Sequence, residues 1–184
     1  SIENIGIIGI GIGFAWVGKG LGNNLLMTLA MASALLHIFN HSLYKSLLFY
    51  TAGNIYYSTH TRDLDRLGGL AKTMPVSAFF FMVGALAISA LPPFNGFVSE
   101  FLLYKGVFEN ITTSAFDVSL INLAVLVSLV VIGGLSVFAF TKTFGIAFLG
   151  SRRTPTHHEV KEVPLIMRVS GFIIIPIMLS VCLF

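Results

Sequence analysis

His37, His41 and Lys45 recur at four-residue intervals inside the apolar stretch Leu25–Tyr57. On an α-helix, residues four apart follow one another along one side, about 6 Å apart. The row therefore strings three protonatable side chains over about 12 Å. Imidazole changes charge near neutral pH. A lysine ammonium at the centre of a bilayer costs about 2.5–3.5 kcal/mol on insertion scales, so such groups face a protein interior or a wet cavity. The chemistry these residues suit is proton transfer. A zinc pair at His37 and His41 is the metal alternative. It lacks the glutamate of an H-E-x-x-H pair, since Ile38 follows His37, and Lys45 would repel a cation. The plainest structural account is two histidines bonding neighbouring helices and a lysine reaching the headgroups.

A second candidate, Glu100, follows Pro92-Pro93-Phe94-Asn95-Gly96. Each proline removes a backbone donor, which frees the carbonyls of Ile88 and Ser89 four residues earlier and breaks a helix. Asn95 and Gly96 suit a non-helical turn after the break. Broken helices occur at membrane depth where the exposed backbone is buried in protein or lines a cavity, and transporters use them. Glu100 would sit one turn past the break, near the positive end of the second half-helix. Lys142 is either a further proton carrier or a lysine snorkelling to the interface; Lys105 reads as snorkelling, and His157 and His158 as loop residues.

The elements that must position these groups are apolar helices. The chain is 55% hydrophobic and 10% charged, with mean hydropathy +0.89, where soluble domains are about 25% charged. It reads as one all-α polytopic membrane domain over residues 1–184, with spans near 2–17, 25–57, 76–107 (broken at 92–96), 118–149 and 163–184. Crossing a bilayer takes about 20 apolar residues. Basic residues gather in two loops, Arg62, Arg66 and Lys72 in one and Arg152, Arg153 and Lys161 in the other. A single crossing by residues 76–107 puts both loops on one side, and the positive-inside rule makes that side cytoplasmic. Ser1 is no ordinary start and Phe184 falls inside an apolar run, so the expectation is a piece of a longer protein. Gly9 and Gly13 are spaced for close helix packing. Gly13–Lys19 nearly spells a P-loop, but Gly20 stands where the motif needs Ser or Thr and no strand precedes it. Cys182 is alone, which excludes internal disulfides and cysteine metal sites.

Four blocks resemble the antiporter-like, proton-pumping membrane subunits of respiratory complex I and its relatives. They are Ser1-Ile-Glu-Asn-Ile-Gly6, His37-Ile-Phe-Asn-His41-Ser-Leu-Tyr-Lys45-Ser-Leu-Leu-Phe49, Leu67-Gly-Gly-Leu-Ala-Lys-Thr-Met-Pro75 and Ala90-Leu-Pro-Pro-Phe-Asn-Gly-Phe-Val-Ser-Glu100. The family comprises the L, M and N type subunits of NADH–quinone oxidoreductase, the large Mrp sodium/proton antiporter subunits and subunits of group 4 nickel–iron hydrogenases. The first block is most similar to the hydrogenase-4 and formate hydrogenlyase branch. The resemblance implies an inverted-repeat fold of roughly fourteen helices, of which this chain forms most of the second half-channel, with Pro92–Gly96 at the second helix break. It implies that His37, His41 and Lys45 belong to a midplane proton chain, that Glu100 lies toward the exit, and that Lys142 is a weaker match. It also implies other membrane subunits of a complex I-like or hydrogenase complex as partners, a prokaryotic inner membrane as location, and protons (or sodium) as cargo. No haem, flavin, iron–sulfur or nucleotide motif is present, so no cofactor is expected in this chain, no nucleic acid is implied, and redox chemistry would belong to partners. An Mrp-type sodium/proton antiporter subunit and a purely structural membrane subunit are the rival readings.

Overall fold

Asn23 opens the longest helix, its side-chain oxygen accepting a hydrogen bond from the Leu26 N–H. This helix, α2 (Asn24–Thr59), runs unbroken for 36 residues and ends where His60 turns left-handed, at φ 54°. At 1.5 Å per residue it is about 54 Å long, well beyond the roughly 30 Å hydrocarbon core. The other helices are α1 (Ile2–Gly20), α3 (Pro75–Ile88), α4 (Asn95–Thr113), α5 (Phe116–Phe148) and α6 (Leu165–Leu183), with two short 3-10 turns between α2 and α3. The structure, a computed structural model, describes residues 2–113, 115–153 and 159–183; Pro155, His157 and His158 lie outside the described residues. Among the described residues, α1, α2, α5 and α6 are each long and apolar enough to cross a membrane.

The helices α3 and α4 line up end to end along α2, antiparallel to it. Ser77 meets Asn54, Gly84 meets Leu48, Asn95 meets Asn40, Ser99 meets His37, Gly106 meets Leu29 and Asn110 meets Asn23. The two short helices thus make one crossing, with their break beside the middle of α2. Both basic loops consequently sit at one end. There the Gly69 N–H bonds the Leu149 carbonyl at 2.9 Å and the Ser58 hydroxyl bonds the Lys161 carbonyl.

The break lies earlier than the prolines alone suggest. Helix α3 ends at Ile88, Ala90 takes a left-handed φ of 51°, the Leu91 N–H reaches back to the Leu86 carbonyl and the Ala90 N–H to that of Ala87. This is a Schellman ending with alanine in the place glycine usually holds. Asn95 and Gly96, expected in the turn, instead begin α4. A Cβ on Gly96 would run into the Ala87 carbonyl, so glycine is required where the second half-helix closes on the end of the first.

The close-packing register of α1 also differs from Gly9 and Gly13, which face open space. Contact with α2 falls to Gly11, against Ala34 and Ala30, and Gly18, where a Cβ would lie 2.6 Å from the Met27 nitrogen. Asn4, Ile7, Gly11, Phe14, Ala15 and Gly18 form the buried face, so the small pair four apart that is buried is Gly11 and Ala15 rather than Gly9 and Gly13. On the other side, Phe81 of α3 stacks with Phe144 of α5 at a centroid distance of 6.3 Å and packs tilted against Phe148 at 5.4 Å.

The contacts at the break set an expectation for stability. Gly96→Ala should lower the thermal midpoint of the purified protein in detergent, whereas Ala90→Gly should raise stability by about 1 kcal/mol by removing the left-handed penalty. A destabilised Ala90→Gly protein would contradict this account.

Candidate functional site

Ser33, His37, Asn40 and Tyr44 are buried on one face of α2. Their spacing of four, three and four keeps them within one stripe. A strict four-residue row drifts about 40° per step around a helix with 3.6 residues per turn. His41 and Lys45 therefore rotate out of that stripe, and both are half-buried.

Opposite the stripe, α4 offers Asn95 and Ser99 and α1 offers Asn4, all fully buried. The Asn40 amide donates to the Asn95 carbonyl at 2.8 Å, and the Asn95 amide donates back to Asn40 Oδ1 at 3.0 Å. Ser99 joins the halves of the cluster. Its carbonyl accepts from the Ser33 hydroxyl at 2.6 Å, and its Oγ lies 2.9 Å from His37 Nδ1 and 3.3 Å from the Asn40 amide. On the far side of the ring, His37 Nε2 is 3.2 Å from Asn4 Oδ1, which also accepts from the Tyr44 hydroxyl at 2.5 Å.

The geometry accommodates His37 in two protonation states. With the Ser99 hydroxyl donating to Nδ1, a neutral ring donates from Nε2 to Asn4 Oδ1. With that hydroxyl turned to the Gly96 carbonyl, 3.0 Å away, both ring nitrogens donate, to Ser99 Oγ and Asn4 Oδ1. One hydroxyl rotation separates the two states, and neither leaves a ring nitrogen unpaired.

His41 contacts the Tyr44 ring edge-on at 5.6 Å. Two buried atoms at the cluster, His41 Nε2 and Asn95 Oδ1, have no hydrogen-bond partner among the described residues. Lys45 Nζ lies over the Phe49 ring, 4.9 Å from its centroid, and makes no ion pair among the described residues. Glu100, next to Ser99, is buried and within electrostatic reach of Glu3, Tyr44 and Tyr104. Lys142 and Lys105 are exposed on α5 and α4. Pro92 and Pro93 are exposed on the connection between α3 and α4.

Sequence reading singled out His37 and Glu100, which are buried here, and did not single out Asn4, Ser33, Asn40, Tyr44 and Ser99, which are buried around His37. The three on α2 carry a local signal, since each lies three or four residues from the next buried polar group. Asn4 and Ser99 carry no local periodic signal, although both lie inside blocks of the resemblance; they join through tertiary contacts across 33 and 62 residues of chain.

A polytopic helical fold, a helix broken at mid-length and a buried polar cluster at the break together define an antiporter-like membrane subunit. The chain belongs to the family described as NADH:quinone oxidoreductase/Mrp antiporter, transmembrane, whose profile matches residues 13–139. Among its relatives, hydrogenase-4 component B of Escherichia coli K12 is 42% identical over 170 residues, covering 92% of this chain and 25% of the relative. Formate hydrogenlyase subunit 3 of the same organism is 39% identical over 170 residues, covering 92% and 28%. The chain thus spans about a quarter of the length of these relatives. The fold matches a chain in the structure of the Mrp complex from Dietzia sp. DQ12-45-1b with TM-score 0.70 at 20% identity, over 88% of this chain and 37% of that one.

The cluster makes two histidines of one row behave differently. Ser99→Ala should destabilise the protein by about 1–3 kcal/mol by stranding buried partners, and His37→Leu should do the same. His41→Leu, which removes an unpaired buried nitrogen, should be neutral or stabilising. Denaturation in mixed detergent measures all three; equal losses at His37 and His41 would refute the distinction.

Proposed function

We propose that this chain carries part of a proton path in a membrane-embedded redox complex of the hydrogenase or formate hydrogenlyase kind. The observation that carries the reading is the pairing of His37 with Ser99 and Asn4, which holds the imidazole with one proton or two at the cost of a hydroxyl rotation. A purely structural histidine needs only one of these states.

In this reading His37 is a relay group, Lys45 and His41 hand protons toward it along α2, and Glu100 is the acid on the outgoing side. Lys142, exposed on α5, is the least supported member. Charge on Lys45 is felt across a low-dielectric interior, so a change of protonation at one member alters the energy of the next. Electron transfer would lie in partner subunits, in a prokaryotic inner membrane with the basic loops cytoplasmic. The relatives at about 40% identity, named as hydrogenase and formate hydrogenlyase components, favour this setting over a stand-alone sodium/proton antiporter.

In the complete complex reconstituted into vesicles, Lys45→Ala and His37→Gln should each abolish proton translocation, read by a pH-sensitive dye, with subunit assembly intact. Translocation at the unaltered rate in both variants would overturn the proposal.

A further inference from the structure

A second polar track starts at the basic-loop end and runs toward the cluster. Glu162, half-buried beside the exposed Lys161, lays its carboxylate on the start of α3. One oxygen accepts from the Val76 and Ser77 N–H groups at 2.8 and 3.2 Å, and the other from the Ser77 hydroxyl at 2.6 Å. Ser77 is fully buried, and its Oγ accepts in turn from the Asn54 amide at 3.3 Å. Asn54 and, one turn along α2, Thr51 are buried as well.

Capping α3 accounts for the backbone bonds of Glu162. It does not account for a buried amide and hydroxyl continuing inward along α2, where apolar side chains would pack without needing partners. Beyond Thr51 the track stops. Leu47 and Leu48 are buried there, and Leu48 presses on Gly84, where a Cβ would lie 3.0 Å from its side chain. The next polar group on this face is Tyr44, already bonded to Asn4 beside His37. From the basic-loop end inward the order is therefore acid, polar track, buried leucine pair, relay cluster.

We propose that Glu162 is the proton-loading group of this track and that Leu47 and Leu48 form its plug. This rests on the relay reading of His37. The carboxylate takes a proton from hydronium in the aqueous phase at the basic-loop end, releasing water. It gives that proton to water entering along Ser77 and Asn54 toward Thr51, whose hydroxyl donates to the Leu47 carbonyl at 2.8 Å. Passage to the cluster requires transient wetting of the gap at Leu47 and Leu48, a constriction that closes by drying. His37 accepts the proton on the inner side.

The test uses the complete complex in proteoliposomes. Glu162→Gln keeps a carbonyl oxygen to accept from the start of α3 but cannot carry the proton, and should slow translocation at least tenfold with normal assembly; Glu162→Asp should restore a substantial part. Leu48→Ser should raise passive proton leak severalfold, and adding Glu162→Gln should suppress that leak, an effect capping alone would not produce. If Glu162→Gln fails to assemble, Asn54→Val interrupts the track without touching the cap, and full-rate translocation in it overturns the proposal. Unchanged translocation in Glu162→Gln beside a blocked His37→Gln overturns the loading role and leaves the relay standing. Unchanged translocation in His37→Gln overturns both.

Discussion

The reciprocal amide pair between Asn40 and Asn95 sets where everything else at membrane depth can lie. Hydrocarbon offers no water to a buried donor, and protein answers the N–H donors of both amides. Asn40 answers the first carbonyl of α4 while Asn95 answers Asn40. Once that register is fixed between antiparallel helices, Ser99 one turn on must meet His37 one turn back. The cluster follows from one pairing and the 3.6-residue repeat. Each bond contributes only about 1 kcal/mol net, but leaving any one of them unmade costs more, and this makes the arrangement specific.

The fold was largely legible because membrane helices declare themselves by length and apolarity, and the doubled proline marked the discontinuity. Its position was less legible. Prolines report where a helix cannot continue, while Ala90 shows where it actually ends, and an alanine in a left-handed conformation leaves no trace in composition. The glycines of α1 misled in the same way: Gly9 and Gly13 fit a familiar spacing, yet the tertiary partner selects Gly11 and Gly18. In the candidate site, His37 stood out by residue type. Its partners did not, since asparagine, serine and tyrosine in apolar helices are common and only packing shows that they converge. The equal spacing of His37, His41 and Lys45 suggested equivalence, and helix geometry gives each a different environment.

The two ends of the bundle are built on different principles. At one end, short connections join α1 to α2 and α4 to α5, and side-chain amides of Asn23 and Asn110 tie the neighbouring turns at 3.2 Å. At the other end, two longer basic loops interlock through backbone contacts. Gly68 and Gly69 fit against the backbone of Ser151 and Gly150, and a Cβ on Gly68 would collide with the Ser151 carbonyl. That end has cationic side chains facing outward and one carboxylate, Glu162, turned inward. Helix α5, by contrast, is exposed along most of its length, an apolar surface suited to lipid or neighbouring helices.

The division of one crossing into α3 and α4 has a consequence for how this stretch resides in the membrane. With 14 residues, α3 spans about 21 Å at 1.5 Å per residue, short of the hydrocarbon thickness. Helix α4 carries Glu100, Lys105 and Glu109 and is not among the helices apolar enough to cross alone. Neither half could hold a transbilayer position by partitioning. Their place in the bilayer is a tertiary property, conferred by α2, which serves the pair as a solvent.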